Sequence, residues 1–406
     1  MLDAVIVGAG PAGLAAAIAC REWGLQVVVV DEFMKPGGRL LGQLHQEPDG
    51  RWWNGIQETA ALLDRAVELG ADIRCGVSVY HVEKAESGFR IYTSEETLLT
   101  ANLLLATGAA ETPLPLPGWT LPGVMSIGAA QVMTNVHRVR AGHKGIIAGI
   151  NVLSAAIARE LQLAGTELHG LVLPALHPLT AAAGHPRKVM ESLLRIAHLA
   201  PSFWIRAGSR FARAGWVRSL ALRFYPRSGV KLWGLPVHLR KALVRINGVD
   251  QVESVTLSDT TVDGQPVPGS EQTVDVDFVC IAGGLYPLAE LAAVMGCPFK
   301  YVEELGGHVP LHNEQMETPL AGMYVAGNIT GIESAKVARA QGTVAGLSIA
   351  ARALGGSEQI KLQRQLAEAL HHVNETREQA TIQFHPNIAA GRMKMAEAYQ
   401  EHVIRQ

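Results

Sequence analysis

Cysteine is scarce in this sequence and never paired locally. Cys20, Cys75, Cys280 and Cys297 are the only four in 406 residues, and no two form a CxxC. Their spacing excludes a sequence-local redox disulfide, a zinc knuckle and a contiguous iron–sulfur run, and predicts buried free thiols in a reducing cytosol. Charge of one sign is also missing. The formal net charge is −2, which excludes nucleic-acid binding driven by overall charge. No uninterrupted apolar run is long enough to span a bilayer. The apolar stretch at residues 4–20 is broken by Gly8, Gly10, Pro11 and Gly13 and has no basic segment before it, so it does not read as a signal peptide. These absences predict a soluble cytoplasmic protein with no integral membrane segment. What remains is 48% hydrophobic and 18% charged, the profile of a folded chain, long enough for two or three domains.

The clearest positive signal lies in the first 31 residues. Residues 4–7 are a short apolar, β-branched run that predicts a buried parallel strand. Gly8-Ala9-Gly10-Pro11-Ala12-Gly13 follows, then a helical pattern over 14–23 and a second strand over 26–30 ending at Asp31. The three glycines serve different ends. Gly8 allows the tight turn, Gly10 lets a pyrophosphate approach the backbone, and Gly13 lets helix and strand pack closely. Free N–H groups at the helix start suit phosphate, aided by the helix dipole. Asp31 suits ribose hydroxyls and repels a 2′-phosphate. The motif by itself fits FAD, NAD or ATP.

Residues 143–173 repeat the pattern: a strand at 145–148, a turn, a helix at 154–164 and a strand at 167–172. Here the turn reads Gly149-Ile150-Asn151-Val152-Leu153-Ser154, with only the first glycine kept. Asn151 and Ser154 place a Cβ where the backbone meets a pyrophosphate and where the helix packs. The following strand ends in Leu173-Pro174-Ala175, without an acid or an arginine pair. A fold relic, an altered ligand, or weak or unusual nicotinamide binding is consistent with this turn.

Two further segments, Leu103-Leu104-Leu105-Ala106-Thr107-Gly108 and Thr318-Pro319-Leu320-Ala321-Gly322-Met323-Tyr324-Val325-Ala326-Gly327-Asn328, together with Gly37-Gly38, resemble the pyridine nucleotide–disulfide oxidoreductase superfamily. The resemblance implies an α/β fold of two Rossmann-like, three-layer ββα dinucleotide-binding domains, the second inserted in the first. It places the FAD-binding domain at 1–117 and 296–355 and the NAD(P)-binding-like domain at 118–295, with a helical insert at 175–227 and a helical tail at 356–406. It also implies FAD in the first site. Gly8, Gly10, Pro11, Ala12, Gly13, Asp31, Glu32, Gly38, Arg39, Val79, Ala106, Thr107, Gly108, Gly327, Asn328, Ala335 and Lys336 are the implied cofactor contacts. Val79 matches a backbone contact to adenine. Asn328 stands where the family usually has an aspartate on the ribityl chain. The superfamily's redox CxxC is absent, which argues against disulfide reduction.

Pro115-Leu116-Pro117-Gly118-Trp119-Thr120-Leu121-Pro122-Gly123-Val124, residues 131–139, and Asp277-Phe278-Val279-Cys280-Ile281-Ala282-Gly283-Gly284-Leu285-Tyr286-Pro287 narrow the resemblance. They are similar to flavin-carrying α subunits of heteromeric opine, proline and amino-acid dehydrogenases, hydrogen cyanide synthase and sarcosine oxidase. That branch implies a glycine-oxidase-like flavoprotein β subunit, with an FMN shared between subunits as an option. Because no cysteine follows Cys297, any [2Fe–2S] centre belongs to another, small subunit. Two other readings stay open: a stand-alone NAD(P)H-dependent flavoprotein reductase, and a non-catalytic subunit holding ATP or NAD.

The 175–227 insert holds one acid, Glu191, against Arg187, Lys188, Arg195, Arg206, Arg210, Arg213, Arg218, Arg223 and Arg227. It reads as a solvated basic face, a partner docking surface or a membrane-surface contact. The tail reads as a surface helix or as an arm around a partner. For chemistry, Lys336 falls in the first turn of a helix starting near 333–334, where a cation and a helix dipole would stabilise anionic reduced flavin. A surface lysine, or one paired with Glu333, is the plainer alternative. His308 and His312 precede the flavin segment and read mainly as polar loop residues, with a catalytic role for His308 kept open. His45, Trp52 and Trp53 read mainly as packing, with substrate or partner contact as the alternative.

Overall fold

The computed structural model describes residues 1–47, 49–195, 215–380, 384–385 and 387–405. The chain divides into two compact units: residues 1–43, 54–110 and 285–406, and residues 44–53 and 111–284. The second is therefore inserted in the first, and each carries its own sheet and core.

In the first unit, β1 (Leu2–Val7), α1 (Pro11–Glu22) and β2 (Val27–Asp31) form the opening βαβ. Strand β1 lies between β2 and the strand Thr97–Leu105, parallel to both, with Ala4 opposite Val27 and Asn102. The strand Asp72–Cys75 extends the sheet beyond β2, and Met323–Val325 adds a further parallel strand beside Thr97–Leu105. An antiparallel meander of Val79–Ala85, Gly88–Thr93 and Thr97–Leu105 completes this part. The period of two along the strands explains the continuous apolar runs. Ala4, Ile6, Val27, Val29 and Leu104 feed one core, whereas Val5, Val7, Val28, Val30, Leu103 and Leu105 feed another on the opposite face.

The second unit repeats the device. Strand β3 (Lys144–Ala148), α2 (Val152–Leu163) and β4 (Glu167–Pro174) form a second βαβ. Strand β3 runs parallel between β4 and Phe278–Ile281. Ile147, Leu171 and Cys280 face one core; Ile146, Val172 and Val279 face the other. Beyond β4, the strands Leu235–Asn247, Ser254–Asp259 and Gln272–Asp275 continue the sheet, the last two pairings being antiparallel. Both doubly covered sheets are the expected α/β architecture.

Within the 175–227 insert, Pro186–Arg195 and Gly215–Arg223 are helical. The centre of the basic cluster, with Arg206, Arg210 and Arg213, lies outside the described residues. Arg187 forms an exposed pair with Asp263 at 3.3 Å.

Back in the first unit, α3 (Ala335–Ala353), α4 (Gln359–Glu378) and α5 (Ile388–Ile404) close the chain. Helix α3 crosses α1 closely because both present small residues. A Cβ on Gly342 would lie 2.0 Å from the Ala12 carbonyl oxygen, and one on Gly346 would lie 2.5 Å from that of Ala16. The tail is not merely a surface addition: Leu362, Leu366 and Val373 of α4 join the core around α1 and α3. Ile388 and Met395 of α5 pack with Val302, Leu305, Val309 and Leu311.

Candidate dinucleotide site

The first glycine turn is built by close backbone approaches. Gly8 has φ of +108°, and a Cβ there would sit 2.4 Å from the Ala106 carbonyl oxygen. A Cβ on Gly13 would sit 1.8 Å from the Gly8 carbonyl oxygen. Gly10 differs: no atom lies within 4 Å of its ideal Cβ position. It is the N-cap of α1 with no side-chain cap, and Pro11 opens the helix, where a missing N–H costs nothing. The open space therefore lies over an uncapped helix N-terminus, the place where backbone N–H groups receive an anion. Gly38 roofs the same spot, its Cβ position 3.3 Å from Gly10 Cα, and Gly37 N–H donates to the Ala9 carbonyl at 2.8 Å.

Asp31 ends β2 half-buried. Its two carboxylate oxygens accept from Ala9 N–H at 2.6 Å and Phe33 N–H at 2.8 Å. The carboxylate thus braces the turn and retains lone pairs for further donors. Glu32 beside it is exposed. Val79 begins its strand four residues after Cys75, and Val77 N–H donates to the Asp31 carbonyl at 3.0 Å, so this segment is tied to the tip of β2. Arg39 Nε donates to the Ala109 carbonyl at 3.0 Å. Ala106 N–H donates to Val7 at 2.8 Å, Thr107 Oγ1 donates to the Leu288 carbonyl, and Gly108 turns with φ of +78°.

Gly327 reaches α1, its Cβ position 2.9 Å from Ala12 Cβ. Asn328 is half-buried, and its Oδ1 accepts from Glu333 N–H at 3.2 Å. Ser334 caps α3 by accepting from Val337 N–H at 3.3 Å, and Lys336 is exposed in the first turn. One contributor escaped the sequence reading. Gln341, 1% exposed, accepts from Gly327 N–H at 3.0 Å and Thr330 Oγ1 at 3.2 Å through Oε1. Its Nε2 has no partner among the described residues, a buried donor that a ligand would satisfy. The clue was a glutamine amid the small residues of Ala340-Gln341-Gly342. Taken together, the open cradle at Gly10, the uncapped helix and the Gln341 donor fit a dinucleotide.

The second turn is built otherwise. Gly149 again turns tightly, with φ of +115° and a Cβ position 2.2 Å from the Ala282 carbonyl oxygen. Asn151, however, caps α2 itself: its side chain accepts from Ser154 N–H at 2.9 Å, while Ser154 Oγ accepts from Asn151 N–H at 2.9 Å. Asn151 Nδ2 donates to the Ala282 carbonyl at 3.1 Å. This reciprocal capping box occupies, with the protein's own side chains, two of the N–H donors at the helix start that would otherwise face a pyrophosphate. The residues here do not fit an ordinary dinucleotide. On α2 itself, Glu160 is buried and accepts from Gln131 Nε2 at 2.9 Å, Asn135 Nδ2 at 2.7 Å and Leu44 N–H at 3.2 Å. Burial outweighs these bonds and pushes its carboxyl up to about 7.

The other candidates make contacts of their own. His308 is exposed on the hairpin strand Gly307–Pro310, its ring 5.1 Å from Tyr301. His312 is 3% exposed, its Nδ1 2.8 Å from the Pro310 carbonyl. His45 and Trp53 face each other at 6.1 Å on a short ribbon, with Trp52 exposed. Cys20, Cys280 and Cys297 are buried, Cys75 is half-buried, and all four are free. Among the described residues no metal-ligand cluster occurs, and no helix is long and apolar enough to cross a membrane.

Comparison with known proteins agrees with this geometry. The family model described as pyridine nucleotide-disulphide oxidoreductase matches residues 2–156. That stretch contains the whole first glycine turn and the 103–108 return strand. Over residues 2–156 the chain is thus similar to this oxidoreductase family. The A subunit of opine oxidase from Agrobacterium tumefaciens (strain Ach5) is 27% identical over 362 residues, covering 85% of this chain and 65% of that protein. Hydrogen cyanide synthase subunit HcnB of Pseudomonas aeruginosa is 27% identical over 360 residues, covering 86% of this chain and 70% of that protein. The solved L-proline dehydrogenase from P. horikoshii shares the fold, with a TM-score of 0.63 at 18% identity over 90% of this chain and 58% of that one. This chain thus spans somewhat less than two thirds of the opine oxidase relative and of the dehydrogenase chain.

Proposed function

We propose that this chain is the FAD-carrying subunit of a heteromeric amine or amino-acid dehydrogenase that oxidises an opine, proline or sarcosine-like CH–NH donor. The observation that carries this reading is the contrast between the two turns. The first leaves a helix N-terminus open over Gly10, whereas the second fills its own with Asn151 and Ser154. A reductase drawing electrons from NAD(P)H needs both. A flavoprotein fed by a partner that oxidises the amine needs the first alone.

In this reading FAD, when bound, supplies the two-electron acceptor. The N–H groups at the start of α1 receive the pyrophosphate, with Gly10 and Gly38 allowing its approach. Asp31 and Glu32 hold the adenosine ribose, and Val79 meets adenine through its backbone. Ala106, Thr107, Gly108 and Arg39 border the cofactor. Gly327, Asn328 and Ala335 take the ribityl end, and Lys336 with the α3 dipole stabilises negative charge on the reduced ring. The names of the relatives as subunits support a partner. A glycine-oxidase-like β subunit, an FMN shared with it and a small [2Fe–2S] subunit complete the proposed complex in the cytoplasm, with the basic insert at 175–227 as a docking surface.

Anaerobic mixing of the purified flavoprotein with NADH and with NADPH tests this. The flavin is expected to stay oxidised with either, and to bleach when the chain is co-purified with its partner and given the amine. Rapid bleaching by NAD(P)H without a partner would make the chain a stand-alone reductase.

A further inference from the structure

The loop between Asn328 and α3 is held from behind by a buried charge cluster. Glu333, its side chain 6% exposed, accepts from Arg377 of α4 at 2.7 Å and 3.2 Å and from Arg392 Nε of α5 at 3.1 Å. Arg392 Nη2 makes a further short contact to the same carboxylate. Arg392 also donates to the Thr330 carbonyl at 2.8 Å and to Thr330 Oγ1 at 3.1 Å, and its Nη1 lies 3.2 Å from His312 Nε2. Burial, then Arg392, pushes the His312 imidazole down to about 3, so it is neutral and accepts from Arg392 with its Nδ1 proton on Pro310. Burial works against the Glu333 carboxylate, but Arg392 and Arg377 together hold it below its ordinary range. Two guanidinium ions therefore face one carboxylate. The cluster carries a net charge of about +1, shielded from water, beside the N-terminus of a helix whose dipole has the same sign.

Burying an unbalanced charge is costly, and a hydrophobic replacement would often serve stability as well. The sequence instead draws cations from two helices, 44 and 59 residues away, onto the loop that joins Asn328 to the first turn of α3, where Lys336 lies. We propose that the Arg377–Glu333–Arg392 cluster is an electrostatic lever that raises the reduction potential of the flavin by favouring its anionic reduced form. This inference rests on the reading of the first site as a flavin site. The three residues act through the loop and the field, not by touching the reacting atoms, so they are positioning residues.

The test is the flavin reduction potential of the purified holoprotein, equilibrated anaerobically with redox dyes, with flavin content and thermal melting recorded alongside. Arg377→Gln is expected to shift the two-electron equilibrium about tenfold toward the oxidised form, which is about 30 mV. Glu333→Gln is expected to shift it by a similar factor toward the reduced form, and Arg377→Lys to leave it near the parent value. Loss of structure alone would move both glutamine variants the same way. Shifts of one sign, or none, would overturn the proposal. Should Glu333→Gln fail to fold, the Arg377 pair decides: equal shifts in the glutamine and lysine variants would also overturn it. A protein that holds no flavin would remove this inference and the flavin reading together, whereas a bound flavin with the wrong signs would remove only the inference.

Discussion

Replacing Gly10 by valine separates cofactor binding from folding. Gly10 has φ of −74° and ψ of −176°, an extended conformation open to any residue, and its Cβ position has no neighbour within 4 Å. The side chain therefore meets no protein atom at its root, and the cost to the apoprotein is that of a poorer N-cap, roughly 1 kcal/mol. In a unit of this size that lowers Tm by about 2–4 °C. The same methyl groups fill the space over the α1 N-terminus where a pyrophosphate would lie. Cofactor content should fall at least tenfold while the apoprotein melts nearly as before. Gly13→Ala is the contrasting control. Its Cβ would lie 1.8 Å from the Gly8 carbonyl oxygen, so β1 and α1 must separate, at a cost of several kcal/mol. Absorbance of the purified proteins, cofactor released by acid, and apoprotein melting curves make the comparison. A Gly10→Val protein that retains a full complement of nucleotide would refute the reasoning, because the open cradle would then hold nothing.

Three further outcomes follow from the same geometry. Asn151→Ala removes the side-chain half of the α2 cap, leaving Ser154 Oγ on the backbone N–H of residue 151, and should cost about 1 kcal/mol, seen as a lower melting transition with flavin content unchanged. The Glu160 carboxyl is held at about 7, above its ordinary 4.5. The folded state then binds this proton more tightly than the unfolded chain, so the contribution is fully present below about 4.5 and declines as pH rises to about 7. That decline amounts to at most about 3 kcal/mol, and melting of Glu160→Gln against pH should lack it; an identical pH profile in both proteins would exclude the assignment. Lys336→Met should lower the flavin potential in a dye-equilibrated titration, and an unchanged midpoint would remove Lys336 from the site.

The parts of this architecture legible in the sequence are those written in local pattern. The first turn was readable because three glycines and an acid serve one backbone path, and the structure crowds Gly8 and Gly13 while leaving Gly10 open. The second turn was readable as a departure, since Asn151 and Ser154 replace glycines. That they cap each other was also available in principle, because a polar residue three positions before another at a helix start is a capping signature. Long-range partnerships were not legible. Nothing in periodicity brings Arg377 and Arg392 onto Glu333, and Glu160 gathers Gln131 and Asn135 from one helix and Leu44 from a distant segment. The tail also read as an appendage because its apolar positions are sparse. Leu362, Leu366 and Val373 nevertheless suffice to seat α4 in the core, spaced to lie near one helix face.

The central claim, that the first turn holds FAD, meets its most direct test in the absorption spectrum of the purified protein, followed by identification of the nucleotide released on denaturation. A yellow protein that releases about one FAD per chain is expected. A colourless protein that releases ATP or NAD would contradict it and make the chain a nucleotide-binding subunit without redox chemistry of its own.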